Sequence, residues 1–189
     1  MNMTEATTTT LGKPDEIWSV AVLYDDAPTR QRAMEVGREL VQRFWTEVEF
    51  QFHWWRSDFL EDDAMLAAAV GDASTADFIV VSSRPEQPFS PFVIKWFDDW
   101  IGRRAGREGA FVDLTEPTAG TADLVHRRQL HLRRLAHRAM MDYLTRMPEI
   151  MDGALPDSFE SAENRAAQLT SVMDQILHLP PPPRLNLPR

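Results

Sequence analysis

The chain has 189 residues with a formal charge of −9, and 43% of them are hydrophobic, including 6 Trp and 10 Phe. That is enough apolar surface for one domain with a substantial core, and the absence of cysteine excludes disulfides, thiolate metal sites and cysteine nucleophiles. The acidic balance argues against nucleic acid and anionic membranes as partners, and no apolar run approaches bilayer-spanning length, so a cytoplasmic protein is expected.

Met1–Pro14 is Thr-rich and reads as a disordered lead-in to a single domain over 15–179. Ile17–Tyr24 is a nearly continuous apolar run, which predicts a strand buried on both faces. Arg30–Trp45 has helical spacing. Glu47–Trp54 alternates, with Val48, Phe50, Phe52 and Trp54 on one face, and predicts an edge strand. Ser57 or Asp58 is expected to cap a helix whose body is Ala64–Val70. Asp77–Ser83 predicts a second buried strand, Pro85–Pro91 a loop, Phe92–Arg104 a helix and Gly109–Thr115 a fourth strand. Thr121–Ala139 predicts a long helix, Met141–Met147 a fifth strand and Ser158–Leu179 a last helix, before the Pro-rich extended tail 180–189.

Five alternations of strand and helix predict an α/β three-layer sandwich of the flavodoxin-like kind. Right-handed crossovers make its five-stranded sheet parallel, and a buried first strand beside an edge-like second suits the order 2-1-3-4-5. Ligands of such sheets bind at the carboxyl ends of the strands. That rim comprises Asp25, Asp26, Ser82, Ser83, Arg84, Thr115 and Glu116.

Four constellations carry candidate chemistry. Asp25 and Asp26 offer oxygen ligands for a divalent cation; the competing reading is that one of them caps the first helix. Ser82 and Ser83 lack a histidine base on the rim, and the chain has no Gly-x-Ser-x-Gly elbow, so they read as loop hydrogen-bonding groups. In the fourth helix, Leu124, Val125, Leu132, Leu135, Ala136 and Ala139 share one core face. Arg127, Arg134 and Arg138 form a stripe on the other side, expected to pair with Asp98 and Asp99. The third helix carries a wide apolar arc including Phe92, Trp96 and Trp100. Its excess over one buried face predicts a homodimer interface there.

The stretch from Ala76 to Ile101 resembles the NADPH-dependent FMN reductases. The positions that carry the likeness are Pro85, Pro91, Lys95, Asp99 and Trp100, following a buried strand. The resemblance implies an FMN site in which Thr29, Arg30, Ser82, Ser83, Arg84, Phe89 and Thr115 would hold the cofactor. Two features depart from it. Asp25 and Asp26 stand where that family has a Gly/Ser/Thr/Arg phosphate loop, and Gln87 and Pro88 replace its flavin-stacking aromatic and amide. The acidic pair also resembles that of response-regulator receivers, but Ser82-Ser83 stand where a receiver needs an aspartate. The reading is therefore a flavodoxin-like, dimeric relative of the FMN reductases, non-catalytic or ligand-sensing, without a cofactor. The alternative is an FMN-dependent NAD(P)H oxidoreductase, and the third is a degenerate receiver-like signalling domain.

Overall fold

The computed structural model describes residues 16–44 and 46–145. The predicted last helix, the lead-in and the Pro-rich tail lie outside the described residues. Within them the chain runs β1 (Glu16–Tyr24), α1 (Ala27–Phe44), β2 (Val48–Arg56), a short 3-10 helix (Ser57–Glu61), α2 (Asp63–Thr75), β3 (Phe78–Ser82), α3 (Pro91–Arg103), β4 (Ala110–Asp113), α4 (Ala122–Arg138) and β5 (Asp142–Thr145). All strand pairs are parallel, in the order β2-β1-β3-β4-β5. No helix among the described residues is long and apolar enough to cross a membrane.

Period-two alternation sorts the strands' side chains into two cores. Ala21, Leu23, Ile79, Val81 and Phe111 face α2, α3 and α4, while Val20, Val22, Phe78, Val80, Ala110 and Val112 face the α1 side. The three-layer reading therefore holds, with Val20–Leu23 of β1 and all of β3 and β4 buried, while Ile17 at the start of β1 is exposed. β2 lies at the edge, as its alternation predicts, and its Phe50, Phe52 and Trp54 rings stack in a row at 6.1 and 5.9 Å. Gly37 of α1 passes directly over that row. A Cβ there would stand 3.0 Å from the Phe52 ring, so the close approach requires glycine or a shift of the ring.

Three expectations are corrected. Ser57 and Asp58 do not cap α2; they open the 3-10 helix, and Asp62 caps α2 instead, accepting from the amides of Ala64 (2.9 Å) and Met65 (3.0 Å). Leu124 is exposed, leaving the core face of α4 to Val125, Leu132, Leu135 and Ala136. Trp96 and Trp100, assigned from sequence to a subunit interface, are each 0% exposed within their own chain. They pack among the α2–α3–α4 core, with Trp100 stacked on Phe111. The reason is position. α3 contacts α2, α4, the 3-10 helix and the core side of the sheet, so it needs a wider apolar arc than a helix covering a sheet alone. On that helix Phe92 and Ile94 remain exposed.

Candidate functional site at the carboxyl rim of the sheet

Three loops meet at the carboxyl ends of β1, β3 and β4, and the chain's own side chains tie each to the others. The β1–α1 loop is closed by Thr29, which is 1% exposed. Its hydroxyl accepts from the amides of Asp25 (3.0 Å) and Asp26 (2.8 Å) and lies within donating distance of the Asp26 carboxylate (2.9 Å) and carbonyl (3.0 Å). One donor and two acceptor positions are all that a hydroxyl has. Asp26 returns the bond by capping α1: its Oδ1 accepts from the Thr29 amide at 3.0 Å. The Arg30 amide bonds the Asp26 carbonyl at 2.8 Å, and Pro28 has no amide hydrogen to offer. Of the amides around this helix N-terminus, those of positions 25, 26, 29 and 30 are thus engaged internally.

The acidic pair is also partnered. Asp25 accepts from the Arg84 amide at 2.8 Å, and Asp26 forms an ion pair with the Arg84 guanidinium. Burial opposes ionisation of Asp26, but the Thr29 amide and hydroxyl, with Arg84, outweigh it and hold the carboxyl below the usual range. Among the described residues no group of three or more His, Asp or Glu is placed to hold a metal ion.

The β3–α3 loop is fastened at several points. Ser82, 0% exposed, donates to the Thr29 carbonyl at 2.7 Å, and Ser83 lies 3.3 Å from the Thr115 hydroxyl. Glu86 accepts from Thr118 on the β4–α4 loop. Arg32 of α1 steadies that second loop by donating to the Leu114 carbonyl (3.0 Å) and pairing with Glu116 (3.1 Å).

Two residues that the sequence analysis did not assign to the site organise its interior. Arg128 of α4, 7% exposed, donates to Ser83 Oγ at 3.0 Å and to the carbonyls of Arg84 and Gln87. Its guanidinium lies 3.8 Å from the centre of the Phe89 ring. The signal was present, because Arg128 falls three residues after Val125 and four before Leu132, on the buried face of the helix. Asp113 ends β4 with 0% exposure, accepting from the Thr115 amide (2.8 Å) and the Tyr143 hydroxyl (2.8 Å). Burial raises its pKa, against the opposing pull of Thr115, Tyr143 and Arg128. Burial likewise raises the pKa of the Tyr143 hydroxyl, and the neighbouring Asp113 adds to the effect.

Of the residues that the FMN resemblance singled out, Thr29, Ser82, Ser83 and Thr115 are therefore brought together, but as buried groups that bond one another. Phe89 is partly buried under Arg128, and Arg84 is turned onto the acidic pair. Arg30 is exposed and lies 5.7 Å from the Trp54 ring. The opening beside this rim is a depression of about 150 Å³ lined by Asp25, Ser57, Asp58, Glu61, Gln87, Pro88, Phe89, Ser90 and Val93. Three of these carry carboxylates and none is basic. The stripe on the outer side of α4 is solvated as expected, with Arg138 paired to Asp98 at 2.9 Å.

With this geometry in view, the chain can be set beside known proteins. No protein-family model matches its sequence, nor does any curated protein. A crystal structure of an oxidoreductase from Corynebacterium diphtheriae is similar in three dimensions, with a TM-score of 0.54 at 13% identity, covering 85% of this chain and 93% of that one. The likeness is one of fold. It agrees with the flavodoxin-like strand order and carries no residue assignment to the rim.

Proposed function

We propose that this chain is a ligand-sensing, non-catalytic relative of the flavodoxin-like FMN reductases whose rim does not hold FMN. The observation that supports this most is the Thr29 hydroxyl, which satisfies the amides of Asp25 and Asp26 from within. A phosphate needs such amides free and a positive potential around them. Here the helix N-terminus carries two carboxylates, with Arg84 directed at one of them. The ring of a flavin would meet a loop already filled by Phe89 and Arg128. The depression that does open there is smaller than the roughly 300–1,000 Å³ of common ligand pockets, and its carboxylates favour a small neutral or cationic ligand.

The second reading, an FMN-dependent NAD(P)H oxidoreductase, draws on the solved structure of the same architecture, which is described as an oxidoreductase. The two readings part on one observation. Protein purified from a flavin-replete host is expected to be colourless, with no flavin released on denaturation. A yellow preparation with stoichiometric FMN would overturn the first reading, and bleaching of that flavin by NADPH or NADH would establish the second.

A further inference from the structure

β2 forms one edge of the sheet. The strand pairs with β1 residue for residue from Glu16↔Val48 to Tyr24↔Arg56, without a bulge, and is the outermost strand of the sheet. Nine residues give about 30 Å of backbone whose far side has no partner strand among the described residues. Edge strands are ordinarily guarded by Pro, Lys, a bulge or an inward charge. Between Glu49 and Arg56 this one has none of these, only Phe50, Gln51, Phe52, His53, Trp54 and Trp55.

We propose that the occupant of this edge is a second copy of the chain, joined antiparallel about a two-fold axis at Phe52. That register sets Phe50 opposite Trp54, Phe52 opposite its own copy and Gln51 opposite His53. Val48 then meets Arg56 and Glu49 meets Trp55, so no like charges are opposed anywhere along the seam. A two-fold contact demands a patch that complements itself, and the aromatic–polar alternation from 50 to 54 reads the same in both directions. The stacked row of Phe50, Phe52 and Trp54 would continue across the axis into the partner's row, giving one ten-stranded sheet. The enclosure of Trp96 and Trp100 removes the main apolar reason for placing a dimer contact on α3.

The full chain is cysteine-free, so a single introduced thiol reports one position only. In sedimentation velocity the protein is expected at twice its 21.7 kDa mass, dissociating on dilution. Gln51→Cys, at an exposed site on β2, is expected to be captured as a covalent dimer by oxidation or a short bis-maleimide. Ile94→Cys, exposed on α3, is not. Circular dichroism confirms that both variants are folded. A monomer at every concentration, whether because another segment of the chain or a different protein takes the edge, would overturn the proposal. So would capture at position 94 as strong as at 51, or a dimer captured at neither.

Discussion

Thr29 is the smallest group on which the rim depends. Thr29→Val keeps its volume and removes the hydroxyl, leaving the amides of Asp25 and Asp26 without their partner. A loss of about 2 kcal/mol in urea denaturation is expected, in the range for stranding buried polar groups. Asp113 and Asp26 give opposite pH dependences. Burial raises the folded pKa of Asp113, so its contribution is fully present below the unfolded carboxylate value and is lost as pH rises through the folded one. Asp113→Asn cannot ionise and still accepts from the Thr115 amide. Its unfolding free energy is expected to match the parent's in acid and to exceed it at neutral pH, where the parent's buried carboxyl is driven to ionise. Asp26 has a lowered folded pKa despite its burial, because Thr29 and Arg84 favour the carboxylate. Its contribution is present above the unfolded value and fades as pH falls through the folded one. Asp26→Asn, which can still cap α1, should flatten that acid-side slope. A difference between the parent and Asp113→Asn that does not vary with pH would contradict the burial argument for Asp113.

At the scale of elements, two buried arginines hold the ends of the sheet. Arg104, 3% exposed, follows α3 and donates to the carbonyls of Ala76 (2.7 Å), Arg107 (2.7 Å) and Glu108 (2.6 Å). Burial, with Arg107 nearby, lowers its pKa to about 10, so it stays charged at neutral pH. Gly109 allows this knot to close, since a Cβ there would lie 2.4 Å from both the Arg104 guanidinium and the Asp77 carbonyl. Arg104→Met is expected to cost about 3 kcal/mol, read from the urea midpoint, because three carbonyls lose a charged donor at once. Arg128 acts at the opposite end, where it binds the β3–α3 loop to α4. In Arg128→Met, amide hydrogen exchange across 84–90 is expected to accelerate while α2, which takes part in none of these Arg128 bonds, keeps its protection. Uniform acceleration through both segments would mean that Arg128 supports the whole domain and not this loop.

For the molecule as a whole, the sheet was legible because buried strands announce themselves. Ile17–Tyr24 and Asp77–Ser83 are too continuously apolar to be anything but central, and the alternation of 48 to 54 marks an edge. Element bounds moved by a few residues where caps decided them, as Asp62 does for α2. The two larger misreadings share a cause. A helical wheel shows which residues share a face but not how many neighbours the helix has. For α3 that hid the burial of Trp96 and Trp100 between its neighbouring elements. For α4 it left Arg128 unassigned, although its spacing placed it on the apolar face. The structure places the rim residues together at the carboxyl ends of the strands, but whether a serine or threonine faces a ligand or a neighbouring amide depends on rotamers that spacing does not encode. Those rotamers carry the proposal made for the rim, where the Thr29 hydroxyl holds the amides of Asp25 and Asp26 and Arg84 meets both carboxylates. The most direct test is a titration of purified protein into FMN, followed by flavin fluorescence. No saturable quenching is expected up to about 100 µM protein, which corresponds to binding weaker than about −5.5 kcal/mol. Stoichiometric quenching with micromolar or tighter affinity, lost in Thr29→Val or Arg30→Ala, would contradict a self-satisfied rim.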